Sequence, residues 1–426
     1  MSQPKLKVKG NEITITLKVV MKDSMLKSED IIRDALNKAG AALTAKALEK
    51  FDTDGSPIIR EGEKYTAQGY NSETYQSPYG EFQIKRYVYQ NSKGGKTYCP
   101  LESNGRIVIK STPKFARIIS FKYGNSGAEN VCRDMKETLK LKVNKSLVQR
   151  VGEAVGTFLG AKEQEWEYAL PKTKEPTTSV SIGMDGTMML LCEDGYREAM
   201  VGTIALYDKA GNRQHTIYTA ATPEYGKENF LEKFRREIER VQEQLPDVTY
   251  IGLADGAKCN WLFLKKYTND QLIDFYHSTQ YLTTASEAMF RKKRDKESWL
   301  ETACHRLKHN KTGARQLLKE MVHCHENNNI SQIKAKKLEK SITYFKNNSP
   351  KMKYSYHSKN NHPIGSGVTE SAAKLLVKQR LCNSGMRWKE KGAASVLHIR
   401  TKIMTDNRWD KAWEKVDKYG FSRVAA

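Results

Sequence analysis

Three carboxylates carry the chemistry this sequence offers. The first, Asp185, interrupts the stretch SVSIGMDGTMMLL, residues 179–191, which otherwise alternates like a buried strand. A carboxylate inside such a strand is costly unless it is paired, hydrogen-bonded or bound to a cation. A second Asp-Gly pair, Asp255-Gly256, ends another apolar run, VTYIGLADGA. On adjacent strands the two acids would repel each other, an arrangement that makes sense with a divalent cation between them. Hard oxygen ligands select Mg²⁺, with Mn²⁺ as its substitute, over zinc. A two-metal phosphoryl-transfer site needs one further acid, and Glu370 follows in NHPIGSGVTESAAKLLVKQRL. Taken alone, a Glu in the first turn after the Gly365-Ser366-Gly367 entry reads as a cap or a complement to the helix dipole.

Other constellations are weaker. Asp185-Gly186-Thr187 matches the end of the Asp-x-Asp-Gly-Thr motif of haloacid-dehalogenase phosphatases, but the nucleophile position is Gly183, and nothing there could form an aspartyl phosphate. Cys304, His305, His309, His323, Cys324 and His325 crowd a Lys-rich helical stretch, with His305 and His309 on one helix face. Their spacing matches no closed zinc site, and packing or surface roles suit them better. The seven cysteines are scattered without a Cys-x-x-Cys pair, which fits free thiols in a reducing compartment.

The elements that must position the acids follow from periodicity. Residues 23–51 repeat apolar side chains at helical spacing and open a helical region, 1–60. Residues 61–125 form a small β-rich module, a hairpin with one further strand, with SKGG at 92–95 as a turn. Over 126–172 a helix at 128–139, a polar break at 140–144 and a helix from Lys145 suggest either a helix-turn-helix or an ordinary helical hairpin. In the first case Lys145 and Arg150, on the second helix, face DNA. After the linker PKTKEPTT, three strands, a helix and a fourth strand follow. That is the order of an RNase H-like α/β domain, a meander whose first strand pairs in parallel with the strand after the helix. Its first part is 173–284 and its last part 363–412, with a tail from 413. Between them, 285–362 is an all-helical insertion with eighteen Lys and Arg against seven Asp and Glu, a density that argues for a phosphate-tracking surface.

Charge agrees. Lys and Arg number 72 against 49 Asp and Glu, a net +23 that favours a polyanionic partner, nucleic acid first. No apolar run reaches the roughly 18 residues a bilayer needs, and no signal-peptide core opens the chain, so a soluble, cytoplasmic, nucleoid-associated protein is expected, with no membrane partner.

Three segments together resemble a family. GMDGT with REAMVGTIALY, YIGLADGAKCNWLF with LIDFYHSTQYL, and PIGSGVTESAAKLLVKQRLCNSGMRWKEKGAASVLHIRTKI are similar to DDE transposases of bacterial insertion sequences, in particular the Kra-type group. The resemblance covers about 178–412. It implies a catalytic and metal-binding triad of Asp185, Asp255 and Glu370, and strand cleavage and strand transfer on double-stranded DNA, both transposon ends and target, by at least a dimer. His277 matches a position where such proteins carry His close to the site; taken alone, it reads as a core or capping His. Arg387 and Trp388 match a Gly-Met-Arg-Trp element, where Arg would bind phosphate and Trp would pack or stack on a base. Lys374, Lys378 and Arg380, on the basic Glu370 helix, are further expected DNA contacts. Relatives often carry paired cysteines in the β-module, whereas here only Cys99 lies between 60 and 125. An RNase H-like nuclease or resolvase with the same triad, and a transposase-derived DNA-binding protein without activity, are the alternatives.

Overall fold

The computed structural model describes residues 5–224, 227–254, 258–327 and 330–421. The chain divides into two compact units: residues 1–168 with 389–403 and 407–426, and residues 169–388 with 404–406.

The first unit opens with a hairpin, β1 (Lys5–Lys9) and β2 (Glu12–Thr16), turned at Gly10 with φ +60°. Helical periodicity over 23–51 predicts only helix for 1–60. The period-two alternation of Leu6 and Val8, then Ile13 and Ile15, is the local reason for the strands. Helix α1 (Met25–Glu49) follows, then an antiparallel sheet of β3 (Ile58–Arg60), β4 (Glu63–Ser77) and β5 (Gly80–Asn91). One tight turn lies at Pro78-Tyr79, and the expected turn at 92–95 follows β5, Gly94 N donating to Asn91 O at 2.9 Å before the chain returns through an antiparallel Tyr89–Tyr98 bridge. Leu48 of α1 packs with Tyr75, Phe82, Ile84 and Leu101 of α2 (Pro100–Asn104).

Beside that core, where a lone Cys99 stands, charged groups tie the module. The buried Tyr75 hydroxyl donates to Glu102 at 2.9 Å and accepts from Arg86 Nε at 2.8 Å. Lys110 Nζ donates to Glu73 and Glu102, both at 2.7 Å. Burial alone would raise the Glu102 carboxyl, but the Lys110 hydrogen bond and charge outweigh it and hold it below the ordinary range; Glu73 follows the same balance.

Three helices complete this part: α3 (Pro113–Asn125), α4 (Ala128–Leu139) and α5 (Lys145–Ala161). Lys140, at φ +56°, closes α4, and the Asn144 side chain caps α5 by accepting from Leu147 N at 2.7 Å. A Cβ at Gly152 would meet the Tyr123 ring at 2.2 Å, so that glycine lets α3 and α5 approach.

The second unit is built on a five-stranded sheet. Strands β6 (Ser179–Leu191), β7 (Gly195–Tyr207) and β8 (Arg213–Ala221) form an antiparallel meander. Helix α6 (Glu228–Gln244) leads to β9 (Thr249–Ala254), which pairs in parallel with β6 from Ser179↔Thr249 to Gly183↔Leu253. Helix α7 (Lys258–Leu264) leads to β10 (Asp270–Ile273), parallel to β9. The order is β10-β9-β6-β7-β8.

Alternation gives this sheet two apolar faces. Phe234 of α6 lies over Gly202, whose register partner is Met184. The opposite face, with Gly183 and Asp185, receives a later helix.

The helical segment follows as α8 (Phe275–Met289), α9 (Lys293–His309), α10 (Gly313–Asn327), α11 (Gln332–Asn348) and α12 (Tyr354–Lys359). Leu282, Ala303, Leu317, Leu338 and Phe345 are buried in one core with the sheet's Ile182 and Leu253. Helix α13 (Gly367–Ala373), a π-helical turn Lys374–Lys378 and α14 (Gln379–Leu381) end the unit.

The chain then re-enters the first unit. Helix α15 (Glu390–Met404) presents Ser395 to Gly156, where a Cβ would lie 2.3 Å from the Ser395 carbonyl oxygen. Residues 389–403, grouped by sequence with the last part of the RNase H-like core, thus pack on α5. Helix α16 (Arg408–Tyr419) runs through position 413, where a tail was expected.

Candidate metal and active site

Glu370 is the centre of the site. Its helix, α13, packs on β6 and β7, and one contact explains how. Thr369 Oγ1 lies 2.7 Å from Thr203 Oγ1 of β7, both residues being buried. Thr203 is the register partner of Gly183 on β6, and a Cβ at Gly183 would stand 2.1 Å from Thr369 Oγ1. Gly183 is therefore the gap through which α13 reaches the sheet. Asp185, two residues along β6, points to the same face. Asp185 is half-buried, and its Oδ1 accepts from Gly186 N at 2.8 Å. Helix and strand thus bring Glu370 and Asp185 to one side of the sheet. Asp255 lies outside the described residues, immediately after Ala254, the last residue of β9.

A residue the sequence reading did not single out completes the surroundings. Asp274 follows β10, at the carboxyl ends of the parallel strands, where open α/β sheets place their sites. It is 1% exposed and caps α8, its Oδ1 accepting from His277 N at 2.6 Å. Its Oδ2 accepts from the backbone N of Ser366 at 2.5 Å and lies 2.9 Å from Ser366 Oγ. Ser366 Oγ also lies 2.9 Å from Glu370 Oε1. His277 Nε2 is 3.5 Å from that same Oε1, and its Nδ1 is 3.3 Å from Gln280 Oε1. One ligand atom each from Asp274, His277 and Glu370 lies within 4.8 Å of the others, a cluster that could hold a metal ion.

The donors differ in availability. Asp274 already accepts from two backbone N–H groups, whereas Glu370 and His277 keep 42% and 35% of their side chains exposed. Glu370 is therefore the acid in this cluster best placed to meet a cation. Its hard oxygen fits Mg²⁺ or Mn²⁺, and the imidazole is a donor that Mn²⁺ accepts more readily than Mg²⁺. The sequence signal that could have found Asp274 is Asp-x-x-His directly after a short apolar strand.

The expected DNA contacts divide. Lys374 and Lys378 are exposed on the π-helical turn, and Arg387, Lys145 and Arg150 are exposed as well. Arg380 is not: it is 2% exposed, and its guanidinium lies 5.0 Å from the Trp388 ring centroid. Trp388 is itself committed, its Nε1 donating to Leu381 O at 2.9 Å and its backbone pairing with Leu190 and Cys192. These two residues hold the turn after α14 against the end of β6; Arg380 is buried there, and Trp388 is partly buried.

No protein-family model and no curated protein matches this chain. Among the described residues, no helix is long and apolar enough to cross a membrane.

Proposed function

We propose that this protein is a DNA transposase of the DDE type, with an RNase H-like core. The observation that carries the reading is the Thr369 contact over Gly183. It brings the Glu370 helix onto the face of Asp185 in a sheet of order β10-β9-β6-β7-β8, with a meander on one side and parallel strands on the other. That strand order suits an RNase H-like domain, and the helical segment from α8 to α12 then reads as its insertion. Asp185, Asp255 and Glu370 would hold divalent cations, which when bound activate water or a freed 3′-hydroxyl and stabilise the leaving oxygen.

The chain's own groups do the rest. Ser366 and His277 orient the Glu370 carboxylate, while Lys374 and Lys378 meet the phosphate backbone beside it. The run Arg291-Lys292-Lys293-Arg294, exposed at all four positions, adds positive charge on the insertion. Double-stranded DNA is the partner, and joining two ends calls for at least a dimer.

The test is a cleavage and joining assay on supercoiled plasmid carrying the element's flanking ends, with Mg²⁺, with EDTA, and with Glu370→Gln. Metal-dependent cutting followed by joined products, both absent with EDTA and in the variant, supports a transposase. Cut ends that are never joined would replace this reading by a nuclease or resolvase. Tight, salt-sensitive binding without cutting in Mg²⁺ would replace it by a DNA-binding protein.

A further inference from the structure

We propose that Ser366 and Asp274 are positioning residues that hold the Glu370 carboxylate in place before a cation binds. The inference rests on Glu370 being a cation ligand, as the transposase reading has it. Glu370 is half-exposed on a helix of seven residues, a side chain otherwise able to sample several rotamers.

Its Oε1 is met by the Ser366 hydroxyl, which has one proton and two carboxylate oxygens at 2.9 Å, those of Glu370 and Asp274. Which of the two receives the proton is settled by the backbone. Asp274 Oδ2 already accepts from Ser366 N, and Oδ1 from His277 N, so Asp274 stays satisfied when the hydroxyl turns to Glu370. Asp274, almost fully buried, therefore fixes the serine through its N–H and leaves the hydroxyl to Glu370. The same carboxylate starts α8 and so sets the backbone of His277, whose Nε2 lies 3.5 Å from Oε1. The loop is further fastened by Phe275 N donating to Ile364 O at 3.0 Å. Asp274 thus acts on Glu370 through both of its neighbours without touching it.

The experiment uses the full chain and Mn²⁺ alone, followed by electron paramagnetic resonance, together with the cation dependence of plasmid cleavage. Glu370→Gln marks the binding step that belongs to Glu370. Ser366→Ala and Asp274→Asn should each weaken that step about 10-fold, the scale of lost outer-shell support. Ser366→Thr, which keeps the hydroxyl, should bind like the parent. Asn remains a good helix cap, so α8 should persist in Asp274→Asn. If that variant nevertheless fails to fold, Ser366→Ala decides, because it leaves the bonds to Asp274 from the two backbone N–H groups. Unchanged Mn²⁺ binding in Ser366→Ala with an unchanged Tm overturns the proposal, as does a parent protein whose Mn²⁺ binding is insensitive to Glu370→Gln. A parent that binds Mn²⁺ through Glu370 but never cuts DNA overturns the transposase reading and leaves the positioning role standing.

Discussion

Gly183 shows how one residue decides chemistry by having no side chain. In the phosphatase motif that Asp185-Gly186-Thr187 partly matches, position 183 would carry the nucleophilic acid. Here Thr369 Oγ1 occupies the space in which its Cβ would stand. Gly183→Ala should therefore cost about 1–3 kcal/mol, the range for overpacking a tight core. In a Thr369→Ala background the obstructing oxygen is gone, so the alanine at 183 should cost measurably less. A thermodynamic cycle of the two substitutions, read by denaturant unfolding, checks this, and additive effects would mean the contact is not the constraint. At the same scale, burial reassigns Arg380. A guanidinium 2% exposed beside Trp388 supports a turn, whereas the exposed Lys374 and Lys378 remain able to meet phosphate.

Among the elements, α5 is the one whose outer surface a partner would read. Val148, Val151 and Val155 turn inward, which leaves Lys145, Ser146, Gln149 and Arg150 exposed along one side of its first turns. If that side lies on DNA, Lys145→Ala and Arg150→Ala should each weaken binding and reduce the slope of log K against log salt by about 1. Tm should stay constant, since neither side chain is buried. Fluorescence anisotropy across a salt series measures the slope, and an unchanged slope in both variants would remove α5 from the interface. The π-helical turn after Glu370 is a second element of interest. Such turns recur at functional sites, and this one presents Lys374 and Lys378 directly after the helix carrying the acid.

Across the whole molecule, the two units should respond to acid over different ranges. In the second, His357 is fully buried, its Nε2 3.6 Å from Asp270 Oδ2 and its Nδ1 3.3 Å from His362 Nδ1. Burial pushes it down to about 4, against the opposing pull of Asp270; His362 is lowered too, again mainly by burial. A histidine depressed in the folded state binds its proton more readily once unfolded. Its contribution is therefore whole above the ordinary value of 6.5 and is lost as pH falls toward about 4. In the first unit the depressed acids Glu73 and Glu102 contribute fully above the ordinary Glu value of 4.5 and lose that contribution only as pH falls below it. Unfolding followed by circular dichroism from pH 7.5 to 3 should show the second unit weakening first. His357→Gln should flatten that early loss, and an unchanged profile would contradict the assignment.

The sequence by itself determined what depends on neighbours along the chain. The helix pair at 128–139 and from 145, the meander, helix and strand from 179 to 254, and the basic helical segment all follow from local periodicity and turn residues. Tertiary structure decided what depends on residues brought together from afar. Asp274 meets Ser366 across 92 positions, and Thr203 meets Thr369 across 166. No local pattern marks such pairs, because the hydrogen bonds and close contacts that give them meaning exist only after the sheet and its covering helices have packed. The same holds for α15, whose sequence continues the Glu370 region while its small-residue contact at Gly156 carries it to the other unit.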